Sequence, residues 1–171
     1  EEDTPFYKMR DTLSLPDEET ELRMYGVIKE KLANAGYSHY EISNYAKSGF
    51  ECRHNLKYWC DEEYIGVGLA AYSYFEGARF GNVRDLRGYV ESPTDAKAES
   101  EEISRDDEAY EYVMMHLRLS RGFSLERYKS RFGEDFLAPR LEKIKTYESR
   151  GLIKIEKDRI SLTEDGFYHS N

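Results

Sequence analysis

At 171 residues and 20.1 kDa the chain is long enough for one or two small domains. With 39% apolar, 35% charged and 14% aromatic residues it is too apolar for intrinsic disorder, and no window reaches the roughly 18 apolar residues of a membrane span. The net charge of -9 argues against a general nucleic-acid binder, while two cysteines and no signal-peptide pattern point to a reducing, cytoplasmic setting.

The opening Glu1-Glu2-Asp3-Thr4-Pro5 lacks an initiator Met and reads as a polar linker, so a piece of a longer protein is expected. Pro16 followed by Asp17-Glu18-Glu19 starts a helix, with acids in the first turn where the helix dipole favours them. Leu22, Tyr25, Ile28 and Leu32 recur at helical spacing, and Gly36 stops the helix. Tyr40 to Tyr45 alternates like one strand, and Tyr64-Ile65-Gly66-Val67-Gly68 is a second short strand candidate. Glycines thin out regular structure from Gly77 to Gly88. The rhythm is that of α/β units.

Ser92-Pro93-Thr94-Asp95-Ala96-Lys97-Ala98-Glu99 is small, polar and aperiodic, which predicts a linker or long loop and a boundary between segments 1–95 and 100–171. Charge changes there too. Residues 1–100 carry 19 acidic and 12 basic residues, net -7, which leaves 15 acidic and 13 basic, net -2, beyond them. Ser104 with Asp107 resembles a capping box ahead of a helix whose face is Ala109, Val113, His116 and Leu117. Ser124 caps a short helix that Gly133 ends. Leu137, Leu141, Ile144 and Glu148 mark a third helix, stopped by Gly151. Leu152 to Ile155, a turn, and Ile160 to Leu162 then form a hairpin. Three helices and a hairpin are the order of a winged-helix domain. Its third helix is only net +2 between Leu137 and Arg150, a poor phosphate-binding face, so no nucleic-acid partner is expected.

Several chemistries compete between Tyr37 and Asn82. Cys52, His54 and Cys60 lack the spacing of a structural zinc site, and nothing orients His54 as partner of a catalytic cysteine. Gly66 to Ala71 fits G-x-G-x-x-A, but no helix is expected to follow, so the glycines serve close backbone approach or a bend. In Arg53-His54-Asn55-Leu56-Lys57-Tyr58-Trp59, His54 could ligate haem iron while Tyr58 and Trp59 stack on the macrocycle. Composition alone favours a surface loop whose Trp59 plugs a small core.

The runs Ala35-Gly36-Tyr37, Tyr40-Glu41-Ile42-Ser43-Asn44-Tyr45-Ala46, Arg53-His54-Asn55-Leu56-Lys57-Tyr58-Trp59 and Tyr64-Ile65-Gly66-Val67-Gly68 together resemble the coproporphyrinogen dehydrogenase-like radical SAM proteins, most of all the haem chaperone HemW branch. Leu117-Arg118-Leu119, Gly122, Arg131-Phe132-Gly133 and Leu162-Thr163 with Gly166 fit that family's C-terminal domain. The resemblance implies the last strands of a radical SAM barrel followed by a winged-helix-like domain, α/β in part and α+β overall. It implies haem or porphyrin as ligand, with His54 on iron and Tyr58 and Trp59 beside it. It implies that Tyr45 and Ala46 approach S-adenosylmethionine, and that a haem-accepting protein is the partner. The family's CxxxCxxC motif, which holds a 4Fe-4S cluster, is absent from this chain, so these residues alone are expected to have no catalysis. A true coproporphyrinogen III decarboxylase and a ligand-free winged-helix interaction module are the alternatives. The sequence departs from the family at Tyr72, where a histidine is usual, at Ala70, where a glycine is usual, and at Cys52, where a small polar residue is expected. An incomplete barrel would leave open edges and apolar faces, so a homodimer or a large apolar patch is expected.

Overall fold

The computed structural model describes Glu2 and residues 4–170. Its packing divides into two compact units, Glu1–Ser38 and His39–Asn171. Of the polar opening, Glu1 and Asp3 lie outside the described residues. Thr4 already caps a one-turn helix, α1 (Pro5–Lys8), by accepting from Tyr7 N at 3.2 Å. The predicted long helix forms as α2 (Glu18–Asn34), where Asp17 accepts from Thr20 N at 2.8 Å. None of its residues is buried, and Leu22, Met24, Val27 and Ile28 are about half exposed, so its apolar stripe is uncovered.

In the second unit the expected single strand is instead a hairpin. Strands β1 (Ser38–Glu41) and β2 (Asn44–Ala46) are joined by a two-residue turn at Ile42 and Ser43. Alternation was a poor guide because Ser43 and Asn44 are turn formers within the alternating run. Helix α3 (Arg53–Trp59) follows, where a loop was expected. The candidate strand at 64–68 reduces to one bridge, Tyr64 to Tyr74. Of the G-x-G glycines, Gly66 acts through close approach, whereas Gly68 has open space beside it and takes φ +117°. A Cβ on Gly66 would lie 2.1 Å from the Tyr72 carbonyl oxygen, and Asn82 Nδ2 donates to Gly68 O at 2.8 Å.

Where glycines suggested irregular chain, β3 (Tyr72–Phe75) and β4 (Ala78–Asn82) pair across a tight Glu76-Gly77 turn with φ of 51° and 73°. After α4 (Leu86–Glu91) the expected linker does not run free. Ala96 is 5% exposed, and β5 (Lys97–Glu102) joins the antiparallel sheet as its outer strand. All six β5 residues are exposed and four are charged, a composition that discourages pairing with another chain. Helix and sheet are mixed as expected, and pairing in both three-stranded sheets is antiparallel, the α+β pattern.

The last part follows its anticipated order. Helix α5 (Arg105–His116) is capped by Ser104, whose hydroxyl accepts from Asp107 N at 3.2 Å. A short β6 (Phe123–Ser124) leads into α6 (Leu125–Phe132), ended by Gly133. Pro139 tightens the start of the third helix into a 3-10 turn, Ala138–Arg140, and the α-helix proper is α7 (Leu141–Ser149). Strands β7 (Ile153–Glu156) and β8 (Arg159–Leu162) form the hairpin, β6 adds to β8, and α8 (Glu164–Tyr168) closes the chain. The core is strongly aromatic: Tyr112, Phe123, Tyr128, Phe132 and Phe136 gather with Ile144, Ile153 and Ile160. Edge-on and tilted ring pairs such as Phe123 with Phe136 at 4.9 Å and Tyr128 with Phe132 at 4.8 Å suit their quadrupoles.

Two predictions follow from this packing. Gly122 has φ +58° and a Cβ there would lie 1.8 Å from Ile160 O, so Gly122→Ala pushes β6 off β8. It is expected to cost about 2–4 kcal/mol in urea unfolding. Gly133, with φ +77° and open space, should lose only about 1 kcal/mol on the same change. The second concerns His116, which stacks on Tyr112 at 3.9 Å and donates Nδ1–H to Tyr112 O at 2.8 Å. Burial first, then nearby arginines, lower its pKa from 6.5 to about 4. The unfolded chain therefore takes up this proton more readily. The contribution to stability is complete above pH 6.5 and is lost as pH falls toward 4. The urea midpoint of the wild type should fall more between pH 7 and pH 4 than that of His116→Gln. Equal falls would remove His116 as the cause.

Candidate functional site

Helix α3 organises the residues singled out in the sequence. His54 and Tyr58 are one turn apart, so they share a face. Tyr58 Oη lies 3.2 Å from His54 Nε2, and the two rings meet edge-on with centroids 4.9 Å apart. Tyr64 extends the stack, edge-on to Tyr58 at 4.6 Å. His54 is exposed and Tyr58 half-buried. The result is a solvent-facing imidazole backed by two tyrosines.

Trp59 is not part of that face. At 100° per residue it lies roughly 140° around the helix from His54. Its ring is half-buried with the Arg118 guanidinium carbon 6.0 Å from its centre, and its buried Nε1 has no hydrogen-bond partner among the described residues. The structure thus brings together two of the three residues of the run and turns the third inward.

The other half of the motif is docked by backbone. Ile42 N donates to Arg118 O at 2.8 Å and Ser120 N donates to Tyr40 O at 3.1 Å, so β1 is laid along the connection after α5. Cys52 N at the start of α3 donates to Tyr40 Oη at 3.2 Å, which joins the hairpin to the helix. Burial pushes the Tyr40 hydroxyl pKa up, so it stays protonated. Glu41, 1% exposed, carries one carboxylate oxygen with no hydrogen-bond partner among the described residues. Tyr45 stacks on His39 at 4.6 Å, and His39 meets Phe167 of α8 at 5.4 Å. Ala46 is 7% exposed, so a small molecule would meet it through backbone.

Among the described residues no group of three or more His, Cys, Asp or Glu is arranged to hold a metal ion. Cys52 and Cys60 are free thiols, and Cys60 Sγ accepts from Arg121 Nη2 at 3.2 Å. The departure at Tyr72 has a local role, since its hydroxyl donates to Glu99 of β5.

The sequence marked Arg131 only as part of the Arg131-Phe132-Gly133 run and gave no sign of its role beside α3. Arg131 Nη2 reaches Asp61 Oδ2 at 2.8 Å and Glu108 Oε1 at 2.6 Å. Burial pushes the Asp61 carboxyl up, against the pull of Arg131. No spacing signal links positions 61, 108 and 131.

Residues 103–169 match the HemN C-terminal domain family. The heme chaperone HemW of Lactococcus lactis subsp. lactis (strain IL1403) is 34% identical over 163 residues, 95% of this chain and 43% of the relative. That of Bacillus subtilis (strain 168) is 32% identical over 170 residues, 95% and 44%. That of Escherichia coli (strain K12) is 32% identical over 164 residues, 89% and 41%. The chain therefore spans less than half the length of these relatives. Among solved structures the fold resembles coproporphyrinogen III oxidase (HemN) from Escherichia coli, described as a radical SAM enzyme. The TM-score is 0.68 with 17% identity, over 91% of this chain and 40% of that one. Residues 103–169 thus match the HemN C-terminal domain family, and the chain as a whole is similar to the C-terminal part of heme chaperones named HemW.

Proposed function

We propose that this chain contributes the haem-contacting part of a HemW-type haem chaperone, with His54 as the iron ligand. The observation that carries the reading is the exposed His54 imidazole, one helical turn from Tyr58 on α3. The relatives named heme chaperones support it. Haem is cargo here, to be passed to an acceptor protein. Iron takes a neutral imidazole nitrogen, and His54 Nε2 faces the Tyr58 hydroxyl. Ligation through Nε2 therefore needs that hydroxyl to move aside, after which the Tyr58 ring can border the macrocycle. Trp59 serves from behind, by anchoring α3 rather than by stacking on the ligand.

The chain's own cysteines do not fit an iron–sulfur cluster. Cys52 and Cys60 are two thiols where the family motif supplies three, so no step is routed through a cluster. Tyr45 and Ala46 are proposed to face S-adenosylmethionine in the complete protein, through the β2 backbone. The proposed division is 1–95 for the barrel-derived part and 100–171 for the winged-helix-like domain; the family match beginning at 103 supports it, while the compact unit His39–Asn171 runs across it. No helix among the described residues is long and apolar enough to cross a membrane, and the two free thiols suit the reducing cytoplasm proposed for it.

Haem titration of the full chain in reducing buffer, followed by absorbance, tests this. A Soret shift saturating near one haem per chain is expected, and His54→Ala should abolish it. Tyr58→Phe removes the competing hydroxyl and keeps the ring, so its affinity should equal or exceed the wild type's. Equal binding by His54→Ala and the wild type would remove His54 as the ligand.

A further inference from the structure

A cavity of about 370 Å³ opens between the end of α5, the β6 strand, the first turns of α6, the start of β8 and the chain following α3. This lies within the usual range of ligand pockets, about 300–1,000 Å³. Four of its lining residues are arginines: Arg121, Arg127, Arg131 and Arg159. Among the described residues only Arg131 of the four has a carboxylate partner, in Asp61 and Glu108. The guanidinium of Arg121 donates to the Cys60 thiol, and that of Arg159 donates to Arg121 O at 3.3 Å. Arg127 makes no side-chain hydrogen bond or ion pair among the described residues. Glu62 is the one carboxylate in the lining. Asp158, whose charge Arg127 and Arg159 also feel, is committed to Ser124 Oγ and to Glu126 N at 2.9 Å.

Three guanidiniums with no carboxylate partner among the described residues thus share one concave space, in a chain of net charge -9. All three are exposed, so water screens their mutual repulsion, while a concavity lined mostly by one sign concentrates field on its contents. We propose that this cavity is a binding site for an oxyanion of two or more negative charges, held by the forks of Arg121, Arg127 and Arg159. Guanidinium forks match carboxylate and phosphate alike. His116, neutral near pH 7 and already donating Nδ1–H to Tyr112 O, adds no positive charge and leaves Nε2 to accept a ligand hydroxyl. The shared chemistry has two sources: a free phosphate or polycarboxylate, and the paired propionates of a tetrapyrrole.

Isothermal titration of the full chain at low ionic strength, with inorganic phosphate and with citrate, tests the site. One-site saturation that weakens with added salt is expected. Arg121→Gln and Arg127→Gln should each weaken it roughly tenfold or more. Lys143→Gln, which removes one charge from the exposed face of α7, should change nothing. An unchanged urea midpoint for Arg127→Gln shows that folding is intact. A second arm compares haem with haem dimethyl ester, whose propionates are blocked. If Arg127→Gln weakens haem and spares the ester, a tetrapyrrole is the source. If it weakens phosphate or citrate and spares haem, the source is a free anion. His54→Ala should leave phosphate and citrate binding intact, so failure of iron ligation and failure of this site are read separately. Binding of phosphate, citrate and haem that is absent, or indifferent to both arginine variants, would overturn the proposal. So would an equal loss in Lys143→Gln.

Discussion

Arg131 stands where three segments meet. It projects from α6, pairs with Glu108 of α5 and reaches Asp61 just beyond α3. Its guanidinium carbon lies 5.3 Å from the Tyr112 ring centre and 5.4 Å from that of Phe132, so the charge rests against the aromatic core. Such a partly buried cluster is stable only when complete, because removing one member strands the others without water. The raised pKa of Asp61 reports the same tension, since desolvation there outweighs the attraction of Arg131. The placement of α3, and so of His54, depends on this cluster.

Other clamps repeat the pattern. Arg79 of β4 holds Glu111 of α5 through two hydrogen bonds, at 2.6 and 3.3 Å. The backbone bonds of Tyr40 and Ile42 seat β1 on the connection at 118–120. The α5 helix and the connection after it thus receive the sheet, the hairpin and α3 in turn. The segment from Arg105 onward serves as a platform for the motif-bearing residues before it. Its third helix has the right position in the order for a nucleic-acid reader, but its charges are mixed and partly paired, as in Lys145 with Glu142. Three arginines with no carboxylate partner among the described residues lie elsewhere, in the concavity beside α6.

The local reading was accurate where short-range chemistry decides. Ser104 and Ser124 cap the helices they were expected to cap, and Asp17, expected in the first turn, is itself the cap, because a side-chain oxygen three residues ahead of an amide needs no distant partner. The β7–β8 hairpin was legible from two apolar runs about a short polar turn. It failed where the decisive partner is distant. Lys97–Glu102 has no strand-like composition, and pairing with β4 makes it a strand. Tyr64 to Gly68 has that composition and gains only one bridge. Tyr112, the buried centre of the aromatic cluster, did not stand out between the charged residues of α5.

The candidate site divides in the same way. Residue identity alone marked His54, Tyr58 and Trp59, since an imidazole and two aromatics within one short run are chemically conspicuous. Whether they act together was a matter of backbone conformation. A loop could have gathered all three, whereas a helix puts His54 and Tyr58 on one face and sends Trp59 to another. The sequence by itself determined the helix caps, the hairpin turn, the net charge and the chemically able residues, because these depend on neighbours within a few positions. Tertiary structure alone decided that Asp61 and Glu108 neutralise Arg131 while Arg121, Arg127 and Arg159 are left to face one cavity. Charges far apart along the chain are paired or left unpaired only by the fold that brings them into range.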